Sequence, residues 1–307
     1  MKRRQTSHPR RVVLIGAARS GTKILRDSLA EAAGAGAVPY DIGYVWRAGA
    51  LDHPNDALDP ASLSPRVRDF IARFVDGYAE GQPPVVIEKS VGNTMRVPFV
   101  ASVLPNATYV HLIRDGVDVV ESTRRQWIAP ADYRYLAGKA RHFPLRMGPT
   151  YGRRYIGSLL RRRVARDGRV ANWGPRYPGI DTDLAEIDLL RVCARQWRQS
   201  VEHACRDLAS KEIPAIEVRY ESLVTDPAGQ LARITEFCGL STTSQSLDAA
   251  SAKIVPDRTG QGSRMLTNSE LAVLDDEIGD LLAHLGYIRP RAGRDHDEKS
   301  CSDDETD

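Results

Sequence analysis

Arg19, Ser20, Thr22 and Lys23 lie within the stretch GAARSGTK, Gly16–Lys23, directly after an apolar run. Two glycines with cations and hydroxyls between and after them are the groups that hold a phosphate. A tight turn presents backbone N–H groups, and the side chains add donors and positive charge. A P-loop reads G-x-x-x-x-G-K-[ST]. Here Gly16 and Gly21 keep that spacing, but Thr22 precedes Lys23, so the last two letters are exchanged. The exchange matters chemically, because a nucleoside triphosphatase uses the hydroxyl after its lysine to hold magnesium. The residue after Lys23 is Ile24, and the third expected strand ends in Arg114 rather than an acid. The loop is suited to a phosphate held without a metal.

Such a loop works only at the end of a strand and the start of a helix. VVLIG (12–16) is a short continuous apolar run, as expected for a strand buried on both faces. The spacing predicts a helix over 22–33 ending near Gly34 and Gly36, and an amphipathic helix over 67–80. A second strand is expected at PVVIEKS (84–90), a helix over 95–104 and a third strand at TYVHLIR (108–114). A helix follows from Asp118 to Trp127, and a long one from Leu184 to Ala209. A fourth strand is expected at PAIEVRYESL (214–223), then helices over 228–238 and 269–285. Strands alternating with helices predict an α/β fold: a parallel central sheet flanked by helices in three layers. Ligands in such sheets sit at the carboxyl ends of the strands.

Two further stretches fall at those ends. HLIRDGVDVVESTRRQW (111–127) puts Arg114 at a strand end and Ser122 on the next helix. EVRYESLVTDPAGQLARITEFCGL (217–240) puts Tyr220 at another. With the opening loop, these resemble the sulfotransferases that use 3′-phosphoadenosine 5′-phosphosulfate (PAPS). The family's P-[KR]-S-G-T-[TS] loop is matched by Ala18-Arg19-Ser20-Gly21-Thr22-Lys23. Its I-R-D-P-x-D-V-x-x-S stretch is matched from Ile113 through Ser122, and its R-Y-E-D-L element by Arg219-Tyr220-Glu221-Ser222-Leu223. The resemblance spans about residues 11 to 288. It implies that Arg19, Ser20, Gly21, Thr22 and Lys23 hold the 5′-phosphosulfate. Arg114 and Ser122 would bind the 3′-phosphate, with Tyr220 near the adenine, and the product would be adenosine 3′,5′-bisphosphate. The late glycine loop that closes over the 3′-phosphate is represented by TGQGSRMLT (259–267), which brings in Gly262 and Arg264.

Transfer to a hydroxyl needs a base. The resemblance points to a carboxylate just after the first helix, a place filled by Asp41 of VPYDIGYVW. Glu88 in VVIEKS is the rival, and the neighbouring Lys89-Ser90 matches a family lysine, so Lys89 is expected to aid catalysis with Arg19. Alternation along a strand points Glu88 and Lys89 to opposite faces, so only one should face the site. His111 is a third possible base, although a histidine inside a strand is more often packed. A carboxylate base suggests a glycan or glycolipid acceptor. Trp46, Trp127 and Trp173 offer faces for a sugar, with burial the commoner fate of tryptophan. Gly116, where the family prefers proline, is expected to loosen the turn.

Charge and composition bound the rest. Of the 307 residues, 42% are hydrophobic and 27% charged, ordinary for a soluble globular protein. No apolar run approaches a membrane span, VVLIG is too short for a signal-peptide core, and four cysteines lack C-x-x-C spacing, so a cytoplasmic protein with reduced thiols is expected. The basic head (1–10) and acidic tail (289–307) are expected to be disordered, with one domain over 11–288 between them. Residues 134–180 read as a basic acceptor-side insertion, with eleven Lys/Arg against one acid over 134–169. That segment also supports a rival reading, a nucleic-acid-binding protein with Tyr135, Phe143 and Tyr151 interleaved. A P-loop kinase is a second rival, and would need magnesium and an acidic ligand that the motifs lack. The oligomeric state is not legible.

Overall fold

The computed structural model describes residues 8–130, 173–209, 213–255 and 259–287. The arginine-rich 134–169 stretch, most of the basic head and the acidic tail lie outside these residues. In chain order the elements begin with strand β1 (Arg10–Ile15), helix α1 (Thr22–Ala33), a two-residue strand β2 (Gly36–Ala37), and helices α2 (Gly43–Trp46) and α3 (Pro65–Asp76). Then come β3 (Val85–Lys89), α4 (Val97–Val103), β4 (Thr108–Ile113) and α5 (Gly116–Ile128). After the basic stretch follow α6 (Ile180–Glu186), α7 (Leu189–Leu208) and β5 (Ala215–Arg219). The last are α8 (Tyr220–Thr225), α9 (Pro227–Phe237), α10 (Ser244–Ser251), α11 (Gln261–Met265) and α12 (Asn268–His284).

The five strands form one sheet in the order β2-β3-β1-β4-β5, and every neighbouring pair is parallel. β1 is central and its side chains are buried on both faces from Arg11 onward, which is why VVLI carries no polar alternation. Val12 and Leu14 pack with Leu25, Leu29, Leu231 and Ile234 of α1 and α9. Val13 and Ile15 pack on the other face with Trp46, Ile71, Val75 and Val100. Those two cores make the expected three layers. A third cluster joins α5, α7 and α12 through Val117, Val120, Trp127, Trp197, Leu274 and Ile278.

The differences from the sequence expectations are local. The long helix is two, parted at Ile187–Asp188, where Asp188 caps α7 by accepting from Arg191 N. Residues 91–95 form a 3-10 turn ahead of α4, and Pro98 sits in the helix's first turn. The fourth strand stops at Arg219, so Tyr220 opens a helix rather than ending a strand. Gly116 does not loosen its turn: a Cβ there would lie 2.9 Å from the Trp197 ring, so the glycine admits that tryptophan. Cys193, Cys205 and Cys238 are free. Among the described residues, no helix is long and apolar enough to cross a membrane.

Candidate active site at the carboxyl edge of the sheet

The turn from β1 into α1 is built from unusual backbone. Arg19 has φ 70 and Gly21 φ 92, both left-handed. For arginine that conformation costs about 1–3 kcal/mol and is met chiefly where function requires it. Gly21 is required by space as well, since a Cβ would lie 2.6 Å from the Tyr220 ring. Gly21 caps α1 without any side-chain hydrogen bond, and no acid lies in the first turn. The helix therefore presents N–H groups and the positive end of its dipole to the loop. Ser20 is 1% exposed and its Oγ has no hydrogen-bond partner among the described residues. A buried hydroxyl without a partner is costly unless a ligand supplies one. Thr22 is buried and Lys23 exposed at the same end.

The ends of β4 and β5 close on this loop. The Arg114 guanidinium is buried, donates to Arg19 O (3.3 Å) and to Asp118 Oδ2 (3.1 Å), and lies 4.3 Å from the centre of the Tyr220 ring. Arg19 Nε donates to Ser122 Oγ at 3.0 Å. The fold thus brings together Arg19, Ser20, Gly21, Arg114, Ser122 and Tyr220 from three separate stretches of sequence. Two of its organising residues were not foreseen. Asp118 is 2% exposed and accepts from Arg114, Gly260 N (2.8 Å) and Gly262 N (2.7 Å), seating the late glycine segment on α5. The available signal was an acid four residues after a strand-ending arginine, the i,i+4 spacing of a helix ion pair. Glu221 is the other, accepting from Asp115 N and from Tyr287 Oη. Gly262 lies against Val117, where a Cβ would come within 2.5 Å of the carbonyl oxygen. Arg264 is exposed and gives its guanidinium to Gly260 O and Thr259 O of its own loop, so it is not drawn into the cluster.

The carboxylates form a neighbouring group around the exit of β3. Asp41 is partly exposed; its Oδ1 accepts from Gly43 N (3.0 Å) and its Oδ2 from Val91 N (2.9 Å). Arg26 of α1 positions the approach to it, donating Nη1 to Val38 O and Pro39 O. Glu88 is 1% exposed and accepts from Trp46 Nε1 (3.0 Å), Ser90 Oγ (2.7 Å) and Asn93 Nδ2 (2.9 Å). Burial raises its carboxyl above the usual range, against the pull of Ser90 and Trp46. Lys89 follows on the strand and is partly exposed. His111 is buried in β4, where desolvation and then Arg219 push its imidazole down to about 4. Trp46 and Trp127 are core side chains, and the half-buried Trp173 packs against the third cluster. A cavity of about 800 Å³ lies at the opposite, amino edge of the sheet, lined by Arg10, Arg68, Pro84 and Pro105. None of the residues above lines it.

Fold and site define a parallel α/β protein whose carboxyl edge gathers cations, uncapped helix N–H groups and a buried hydroxyl, the equipment of an anion-binding transferase. Residues 41–155 and 158–244 match the model of the Sulfotransferase family, more than half of the chain, and the protein belongs to that family. The loop Gly16–Lys23 and the segment around Gly262 lie outside the matched residues, so their part rests on geometry. The chain is 22% identical over 271 residues to the omega-hydroxy-beta-dihydromenaquinone-9 sulfotransferases of Mycobacterium bovis and Mycobacterium tuberculosis. That alignment covers 82% of this chain and 58% of those proteins, so the chain spans little more than half their length. Among solved structures, the sulfotransferase domain from the curacin biosynthetic pathway aligns with TM-score 0.49 and 17% identity, over 92% of this chain and 99% of that one. A sulfotransferase from Mycobacterium avium aligns with TM-score 0.48 and 12% identity, over 91% of this chain and 77% of that one.

Proposed function

We propose that the protein moves the sulfuryl group of PAPS to an acceptor hydroxyl by in-line transfer. The observation that carries this reading is the meeting of two anion-binding groups at one edge. The Arg19–Lys23 turn with the α1 N-terminus is one, and Arg114 with Ser122 is the other. A donor with phosphates at both the 5′ and 3′ positions fits that pair. Ser20 Oγ offers a buried donor to the 5′ side. When bound, PAPS supplies the activated sulfuryl group.

The roles follow from position. Arg19 and Lys23 stabilise the charge that gathers on the leaving phosphate, where preorganised cations act most strongly. Arg114, held between Asp118 and the Tyr220 ring, reads the 3′-phosphate with Ser122. Gly262 shapes the wall behind them through its seat on Asp118. Asp41, the more exposed carboxylate, takes the proton of the acceptor, and Lys89 supports the developing charge.

The acceptor is a hydroxyl of a glycan or glycolipid. A second reading, the hydroxyl of an isoprenoid-type lipid, is favoured by the omega-hydroxy-dihydromenaquinone for which the mycobacterial relatives are named. Calorimetry with adenosine 3′,5′-bisphosphate in EDTA tests the donor site, with low-micromolar binding expected. A strict magnesium requirement would overturn the reading in favour of a kinase, and salt-sensitive DNA binding without nucleotide affinity would favour the nucleic-acid reading. Transfer of ³⁵S from PAPS to octyl glucoside, chitobiose and farnesol then sorts the acceptor classes.

A further inference from the structure

Glu88 combines three features that a proton-accepting residue should not have together. It is 1% exposed, it lies on the face of β3 that meets the Trp46 core, and three side-chain donors already occupy its oxygens. Those donors are informative in what they connect. Ser90 Oγ gives its hydrogen to Glu88 and accepts from Ile42 N at 3.2 Å. Trp46 ends α2, the short helix that begins two residues after Asp41. Asn93 gives its amide to Glu88 and accepts from Arg96 Nε at 2.9 Å. One carboxylate therefore joins both ends of the 42–46 segment to the exit of β3.

The segment held in this way is the one that carries Asp41, and Val91 N closes the stitch by donating to Asp41 Oδ2 at 2.9 Å. The direction of the Ser90 hydroxyl is the link between them. A hydroxyl has one hydrogen, and only when that hydrogen is committed to Glu88 does its lone pair face Ile42 N–H. A buried network of this kind fixes one arrangement when every member is satisfied. The charged groups that act on Glu88 are Asp41 from the loop and Lys89 from its own strand, and Glu88 in turn acts on Arg96.

We infer that Glu88 is a positioning residue. Through Ser90, Trp46 and Asn93 it holds the Asp41 segment against the exit of β3, and it takes no proton from the acceptor. This rests on the sulfotransferase reading for its catalytic half, and on geometry alone for its structural half.

The test uses Glu88→Gln and Ser90→Ala in the full chain, with two independent readouts. The first is amide exchange at Ile42 and Val91, which requires no ligand. Both variants should speed it at least tenfold while the amides of α1 stay as in the wild type. The second is sulfuryl transfer from ³⁵S-labelled PAPS to octyl glucoside or, where transfer to it is too slow, release of sulfate to water. Here kcat should fall roughly ten- to a hundredfold, with the Kd of adenosine 3′,5′-bisphosphate within threefold of wild type. The acid limb of the rate profile should survive in Glu88→Gln and vanish in Asp41→Asn. Loss of the acid limb in Glu88→Gln with unchanged exchange at Ile42 and Val91 overturns the inference and makes Glu88 the base. Wild-type exchange and wild-type rate in both variants overturns it as well. If Glu88→Gln does not fold, Ser90→Ala breaks the same chain of hydrogen bonds without removing the charge. A wild-type protein that neither binds the bisphosphate nor releases sulfate sinks the sulfotransferase reading, and the exchange data still decide whether Glu88 holds the loop.

Discussion

Replacing Arg114 with alanine should have two consequences that can be separated. The first concerns recognition. A hydrogen bond between the guanidinium and a 3′-phosphate is charge-assisted and is worth about 1.5–3 kcal/mol. At about 1.4 kcal/mol per decade, the preference for adenosine 3′,5′-bisphosphate over 5′-AMP should shrink roughly ten- to a hundredfold. The second concerns stability. Arg114 and Asp118 are 7% and 1% exposed as side chains, so solvent screens this pair little. Removing one partner of a buried pair costs about 3–5 kcal/mol, because the other charge stays buried. Two amides still reach Asp118, which places the loss near the lower end. At about 2 °C per kcal/mol for a large domain, Tm should fall by about 6 °C. Calorimetric titration with both nucleotides measures the first effect and scanning calorimetry the second. An Arg114→Ala protein that keeps the full wild-type preference refutes the assignment of Arg114 to the 3′-phosphate. An Arg114→Ala protein with the wild-type Tm refutes the account of Asp118.

Three other outcomes are expected. Asp41→Asn keeps size but cannot accept a proton, and its single amide oxygen serves only one of the two backbone amides, Gly43 N and Val91 N, so transfer should fall by roughly 10²–10⁴-fold with bisphosphate affinity nearly unchanged in titration calorimetry. Gly21→Ala forces a Cβ into the Tyr220 ring at φ 92, so it should weaken bisphosphate binding at least tenfold on the same instrument. His111 is held near 4 in the fold and would titrate near 6.5 unfolded, so the unfolded chain binds more protons between those values. Stability should therefore decline as pH falls from about 6.5 toward 4, by roughly 3 kcal/mol from this group. Urea titrations of wild type and His111→Gln across that range should show the variant with the shallower slope.

The sequence carried the sheet and the phosphate turn because both are written in short continuous stretches. VVLI declares a strand buried on both faces, and GAARSGTK declares the turn that follows it. Arg114 was legible as the residue that follows a strand, and Ser122 and Tyr220 through the motifs they share with the resembling family; the structure brings the three together with Arg19. Asp118 was not, because its meaning lies in contacts with Gly260 and Gly262, some 140 residues away. Strand alternation sets Glu88 and Lys89 on opposite faces, but that Glu88 meets the core depends on Trp46, forty-two residues earlier. The two-residue strand β2 carries no periodicity at all, and it exists because Val86 and Ile87 offer it an edge. Gly116 was misjudged for the same reason: the ring it accommodates arrives from α7.

The strand order has a consequence for how the chain reaches this state. β1 lies between β3 and β4, so neither neighbour of the first strand exists until residue 85 has been synthesised. Until then its apolar run has no strand to pair with, only helices such as α1 and α3 to pack against. β5 then pairs with β4 across more than a hundred residues. Non-local parallel pairing of this kind folds slowly and leaves strand edges open while it does so. The central strand that anchors the phosphate turn thus precedes both of its partners in the chain, and the sheet is complete only when β5 joins β4.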